Sequence, residues 1–133
     1  MHKKSDKQEY LNAYKAIAPT SIYDEYSESD IFLMQRVIET EVYDLDFEKK
    51  VNIASVVLNR IDNGEFGDTV KEVVTSPNQF AWFRTEITQD TKDALEWVYY
   101  FGRTTDALYF RSDGKPFKGL TQVMNDGAHT FWR

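Results

Sequence analysis

Residues 46 to 61 read as a helix whose apolar side chains run nearly all the way round it. At about 100° per residue, Val51, Ile53, Ala54, Val56, Val57, Leu58 and Ile61 cannot share one stripe. Such a helix is stable only when other elements cover it on most sides. Asp46 caps its start and Asn63-Gly64 stops it. A chain of 133 residues is a single-domain length, large enough for one such core. The rest of the sequence has to supply its walls.

The periodicity provides them. Residues 6–17 form an amphipathic helix with Tyr10, Leu11, Tyr14 and Ile17 on one side, ended by Pro19, and the polar stretch Thr20 to Ser29 is a connector. Ser27-x-x-Asp30 starts the next helix, on which Ile31, Met34, Ile38, Val42 and Leu45 cluster with Val37 at the edge. Asp68 begins a short helix through Val74, closed by Ser76-Pro77. Thr88 begins another, with Ala94, Leu95, Val98 and Phe101 inward and Gly102 as its stop. After that the character changes. Ala107 to Arg111 and Thr121 to Met124 read as short strands around the turn-rich Ser112-Asp-Gly-Lys-Pro116. The predicted class is α+β, mainly helical with a small β element near the C-terminus, and the chain contains no repeat or low-complexity tract.

One carboxylate breaks the pattern. Glu41 falls between Met34 and Val37 on the apolar side, whereas Glu39 points out beside Gln35. Taking a charged carboxylate out of water is costly, so a group placed this way is either ion-paired at a helix contact or keeps its proton to an unusually high pH. The second case describes a general acid. Pattern alone leaves both readings open.

From Asp30 onward five short blocks follow in order. They are Arg36-Val-Ile-Glu-Thr-Glu41, Val51-Asn-Ile-Ala-Ser-Val-Val-Leu-Asn-Arg60, Pro77-Asn78-Gln79-Phe80, Ala107-Leu-Tyr-Phe110 and Gly127-Ala-His-Thr-Phe-Trp132. Through them the chain resembles the SleB-type cell wall hydrolases, the family of the spore cortex-lytic enzymes. The first block is like the family's segment ending in its catalytic glutamate, and the last is like its closing Gly-x-His-x-Phe-aromatic. One departure follows Glu41. Where the family usually reads Ala-x-Gly-Glu, this chain has Val42-Tyr43-Asp44-Leu45, which alters the rim of the site. The resemblance implies a lysozyme-like fold, with residues 1–29 as an N-terminal helix and connector and 30–133 as the catalytic domain. It also implies that Glu41 is the catalytic acid of a lytic transglycosylase acting on peptidoglycan glycan strands.

Cleaving a glycosidic bond requires protonation of the leaving oxygen, and usually a second carboxylate to stabilise or attack the anomeric carbon. Asp44, Asp46 and Glu48, just past the Glu41 helix, are candidates and are equally explicable as loop or cap residues. A single carboxylate suffices if the substrate's own acetamido group supports the developing cation. Gln79 and Phe80 are expected to line the cleft, the amide on an acetamido group and the ring on a sugar face; the plainer reading is a loop anchored by a buried Phe. Tyr109 reaches Glu41 or the substrate with its hydroxyl, or merely satisfies that hydroxyl in the core. His129 is a site residue or a structural histidine fixing the C-terminal segment. Trp82-Phe83 is an aromatic platform at the cleft rim or simply core.

Composition excludes several classes. The net charge of −6 offers no basic stripe for nucleic acid. It also means that an acidic module will not cling to an anionic wall by charge alone, so local cleft contacts or a wall-targeting partner protein must supply the affinity. Cysteine is absent, which removes disulfide and thiolate chemistry. No apolar run approaches a membrane span, and Met-His-Lys-Lys-Ser-Asp leads into polar residues, unlike a signal peptide. The resemblance implies action at the cell wall or spore cortex, reached without a signal peptide in this chain: as a phage lysis protein released from the cytoplasm, as a sporulation protein placed in the spore without export, or as an excised module of a longer secreted enzyme. A zinc amidase needs about three protein ligands, and only His2 and His129 are available as imidazoles, so no metal or other cofactor is expected. A hydrolytic muramidase with a second carboxylate, or a glycan-binding module that has lost the reaction, remain the alternatives. Oligomeric state is not legible.

Overall fold

A computed structural model describes residues 6–76 and 80–133. Its elements in order are α1 (Asp6–Ile17), α2 (Ile22–Glu25), α3 (Glu28–Val42), α4 (Phe47–Asn63), α5 (Val70–Thr75), α6 (Gln89–Phe101), β1 (Tyr109–Arg111), β2 (Gln122–Asn125) and β3 (Thr130–Trp132). The mainly helical α+β class is as the sequence implies.

α4 is the central element. Every residue from Lys50 to Leu58 is buried, and Arg60 as well, with α3, α5 and α6 packed around it. Its ends form as expected: Asp46 accepts a hydrogen bond from the Lys49 N–H at 3.0 Å, and Gly64 takes a left-handed φ of 81° that a side chain would disfavour. The polar groups on this helix fasten one segment. Ser55 Oγ accepts from the Thr104 N–H at 2.9 Å, Thr104 Oγ1 donates to Asn52 at 2.7 Å, and Asn59 Nδ2 donates to the carbonyls of Thr105 and Ala107. Residues 104–108 are thereby delivered from α6 to the sheet.

That sheet has the order β1-β3-β2, both pairs antiparallel. Its centre is β3, which the sequence reading treated only as a closing motif. Three residues are too few for a period-two signal to register. Phe131 on β3 is fully buried opposite Phe110 and Met124, so Phe131 and its neighbour Trp132 belong to the core.

The N-terminal elements depart from expectation in detail. On α1 only Leu11 is buried. Ile17 is 80% exposed, and Tyr10 and Tyr14 lie across Trp97, Tyr100 and Phe101 of α6 instead of sinking inward. The connector contains α2, started by a capping box between Ser21 and Asp24 and pinned by the Ile22 N–H donating to Tyr100 at 3.0 Å. α5 begins at Val70 with Thr69 as its cap, two residues later than the sequence suggests.

Glu39 requires a correction. Expected to point outward, it is only 1% exposed. The start of α6 lies over that side of α3, where the Thr88 N–H donates to Glu39 Oε1, and Lys50 Nζ of α4 stands 3.9 Å from Oε2. Lys50 also donates to Thr88 Oγ1 at 3.2 Å. A helical wheel cannot register a neighbour arriving from another part of the chain. The carboxylate belongs where it does because it meets a helix N-terminus and an ammonium together. Replacing Glu39 by Ala leaves Lys50 buried without its counter-charge and should lower unfolding stability by about 3–5 kcal/mol, read from chemical denaturation. A variant as stable as the parent would show that this triad contributes nothing.

Candidate active site

Glu41 sits on the last turn of α3, half-buried, where the helix leaves the core. Its Oε1 accepts a hydrogen bond from the Ala81 N–H at 2.9 Å. Burial pushes its carboxyl above the ordinary carboxylate range; the Ala81 N–H and the Arg60 guanidinium pull the other way without cancelling it. The C-terminal end of a helix also disfavours a negative charge, and α3 has no basic residue in its last turn. The position therefore favours the protonated acid.

Arg60 comes from the buried α4. Its Nε donates to the Leu108 carbonyl at 2.6 Å, and its guanidinium lies over the rings of Phe80, Phe66 and Tyr109 at 4.4, 4.8 and 5.2 Å. Burial lowers its pKa to about 10, so it stays charged at neutral pH and keeps a cation behind Glu41.

In front of Glu41 an open cleft of about 300 Å³ is lined by Glu41, Phe110, Arg111, Ser112, Asp113, Phe117 and His129. β1 and the turn after it form the far wall. His129 is held by its own N–H donating to Asp126, whose other carboxylate oxygen accepts from Asn52 of α4 at 3.0 Å. Burial lowers the pKa of His129 below the usual imidazole value, with Asp126 opposing, so the ring is neutral at pH 7. Its edge meets Phe110 at 5.4 Å. His129 thus lines the cleft and fixes the C-terminal segment at once.

The other expected site residues separate. Gln79 lies outside the described residues. Phe80 is buried, stacked on Phe110 and under Arg60, so its ring supports the cleft wall and is not presented to a sugar. Tyr109 packs against Phe66 and Phe117 beside Arg60; it does not line the cleft, and no hydrogen bond joins it to Glu41 among the described residues. Asp46 is spent as the α4 cap, Glu48 pairs with Lys7 at 3.0 Å, and Asp44 lies exposed after α3. None of the three enters the cleft.

The carboxylate that does share it is Asp113, which sequence reasoning left inside a turn. Arg111 grips it through two nitrogens at 2.6 and 2.8 Å, and the Lys115 N–H donates to it at 3.0 Å. The Arg111 hydrogen bond first, and that N–H second, hold its carboxyl below the ordinary range. Ser112-Asp-Gly-Lys-Pro was legible as a turn, but only the pairing of β1 with β3 brings that turn into the cleft with Glu41.

With this geometry in place, comparison with known proteins is informative. A family model described as Cell Wall Hydrolase matches residues 46–132, a span that begins just after Glu41. A spore cortex-lytic enzyme of Bacillus cereus is 28% identical over 122 residues, covering 84% of this chain and 47% of that protein. Another from Oceanobacillus iheyensis is 38% identical over 55 residues, 41% of this chain and 20% of that protein. The chain thus spans half or less of the length of these curated relatives. The crystal structure of the catalytic domain of the Bacillus cereus SleB protein superposes with a TM-score of 0.70 at 25% identity, over 81% of this chain and 92% of that one. The catalytic domain of a germination-specific lytic transglycosylase, SleB from Bacillus anthracis, shares the fold with a TM-score of 0.68 at 24% identity, over 81% and 97%.

The electrostatics carry a signed consequence. Below the unfolded-state pKa, Glu41 is protonated in both states and contributes nothing to pH dependence. Above its raised folded-state pKa, the native protein holds a desolvated carboxylate and is the weaker for it. Glu41→Gln should therefore raise the thermal midpoint at pH 8 and leave it unchanged at pH 3.5. Equal midpoints at both pH values would count against a raised pKa.

Proposed function

The chain belongs to the cell wall hydrolase family, and on that ground we propose that it cleaves peptidoglycan glycan strands as a lytic transglycosylase, with Glu41 as its acid and base. The observation that carries the reading is a half-buried carboxyl, biased toward its protonated form, at the edge of a cleft. The names of the relatives, spore cortex-lytic enzymes, supply the substrate class.

Glu41 gives its proton to the oxygen linking N-acetylmuramic acid to N-acetylglucosamine, and that bond breaks as positive charge develops at the muramic C1. The acetamido carbonyl of the same sugar supports this charge. The carboxylate left behind then takes the proton of the muramic 6-hydroxyl, whose oxygen bonds to C1 and closes a 1,6-anhydro ring. No water is consumed, and Glu41 ends protonated as it began. The Ala81 N–H and Arg60 stabilise the transient carboxylate, so the group can both give and retake a proton. The unit doing this work is residues 30–133, with α1 and α2 of the preceding segment packed on its α6. Its place of action is the cell wall or spore cortex, reached directly, with a wall-targeting partner protein, or after phage lysis.

A second reading has one observation in its favour: Asp113 is ionised in the same cleft. Were it freed from Arg111 by substrate, it would suit a hydrolytic muramidase. The products separate the two. Digests of purified sacculi and of spore cortex, resolved by mass, should show 1,6-anhydromuramic ends, lighter by one water than reducing ends. Glu41→Gln should lower the rate by at least about 10²-fold. Asp113→Asn should reduce it only in part. Reducing muramic ends together with an inactive Asp113→Asn would make the protein a muramidase. A parent protein that binds sacculi without releasing any muropeptide would make it a glycan-binding module.

For the parent enzyme, activity should fall on the alkaline side as Glu41 loses its proton. A rate flat from mildly acidic to strongly alkaline pH would count against a protonated general acid.

A further inference from the structure

Among the described residues, the guanidiniums of Arg36 and Arg84 have no carboxylate partner. Arg103, Arg111 and Arg133 are paired with Asp62, Asp113 and Asp106. Arg36 and Arg84, among the described residues, join no ion pair, although the chain carries 22 acidic residues and Glu86 lies exposed two positions from Arg84. Both are held in place by rings. Arg84 lies 3.4 Å from the centroid of Tyr43, and Arg36 lies 4.9 Å from Trp82 and 5.8 Å from Phe32. Stacking occupies the faces of a guanidinium and leaves its N–H edges to other partners: Arg36 Nε is taken by the Arg84 carbonyl, Arg84 Nε is buried without a hydrogen-bond partner, and the terminal nitrogens of both make no hydrogen bond among the described residues.

The backbone makes this arrangement rigid. The Arg84 N–H donates to Thr40 Oγ1 at 3.0 Å, and Arg36 Nε donates to the Arg84 carbonyl at 3.0 Å. The same strap begins at Ala81, whose N–H binds Glu41. Residues 82–84 are therefore directly continuous with the catalytic carboxyl. Phe83 is 73% exposed, Tyr43 is 50% exposed, and a shallow pocket of about 390 Å³ is lined by Phe83, Arg84, Thr85 and Glu86. A large exposed ring beside fixed, unneutralised cations is an unusual surface for a protein of net charge −6.

We propose that Phe83, Arg84, Tyr43 and Arg36 form a second contact site for the same glycan strand, in which the exposed ring meets a sugar face and the guanidiniums bind wall carboxylates. This rests on the peptidoglycan reading above. It resolves how an acidic module holds an anionic polymer: the charge that matters is local and adjoins the site of cleavage. Planar guanidinium edges suit carboxylates, which the stem peptides of the wall carry.

The test uses the full chain carrying Glu41→Gln, which cannot cut what it binds, in co-sedimentation with purified sacculi over a range of salt. Adding Arg84→Gln should weaken binding about tenfold and flatten its salt dependence, and adding Phe83→Ala should weaken it several-fold. Sacculi whose carboxylates have been converted to amides should bind the Glu41→Gln protein about tenfold more weakly than untreated sacculi do. This last arm needs no change at the platform, so it decides the matter even if Arg84→Gln fails to fold. Equal binding to untreated and amidated sacculi, or unchanged binding by folded Arg84→Gln and Phe83→Ala proteins, overturns the platform and leaves the cleavage reading standing. Failure of the Glu41→Gln protein to sediment with sacculi at any salt overturns both.

Discussion

Burial of α4 on nearly every side is the constraint from which the rest of this molecule follows. A helix with apolar residues all round cannot rest at a surface, so α3, α5 and α6 become its walls. Its few polar side chains then have to be satisfied from outside. Asn52, Ser55 and Asn59 are met by residues 104–126, and in meeting them they fix where the chain enters the sheet and where the His129 turn sits. Arg60, at the end of the same helix, extends the principle to the site by placing a charged group behind Glu41 on a bed of rings. Core and cleft are two consequences of one buried helix.

Two carboxylates two residues apart on α3 illustrate how environment, and not residue type, assigns a role. Glu39 meets a helix N-terminus and a buried ammonium, and serves to lock three helices together. Glu41 meets one backbone N–H, a more distant guanidinium and a helix C-terminus, and faces an open cleft. The first has a counter-charge and a helix N-terminus beside it; the second is left with a reason to keep its proton. The strap from Ala81 to Thr88 connects them, touching Glu41 at one end and Glu39 at the other. The element that stabilises the fold therefore also shapes the rim of the site.

Opposed influences on Glu41 suit the double role of acid and base proposed for it. Desolvation alone would make a strong holder of protons and a poor intermediate carboxylate. The Ala81 N–H and Arg60 moderate it, as the proposed change from acid to base within one turnover would require. Asp113, by contrast, is held ionised by Arg111 across the cleft and is not poised to exchange a proton.

Much of this was legible in the chain itself. The helices α1, α3, α4 and α6, their caps at Asp46 and Thr88, and the anomaly of Glu41 all follow from periodicity, because a helix writes its buried face into the spacing of its own residues. The ordered blocks added the family and its fold. What only tertiary structure decided is everything that depends on an element brought from elsewhere in the chain. The inward turn of Glu39 depends on α6 lying across it, the burial of Phe80 on Arg60 and Phe110, and the exposure of Ile17 on α1 meeting α6 through Tyr10 and Tyr14 instead. β3 becomes the sheet centre, and Asp113 reaches the cleft, only when residues near 110 and 131 pair. Local periodicity reports which face of an element is apolar; it carries no information about which distant segment will cover the remainder, and that choice determined which carboxylates became structural and which faced the cleft.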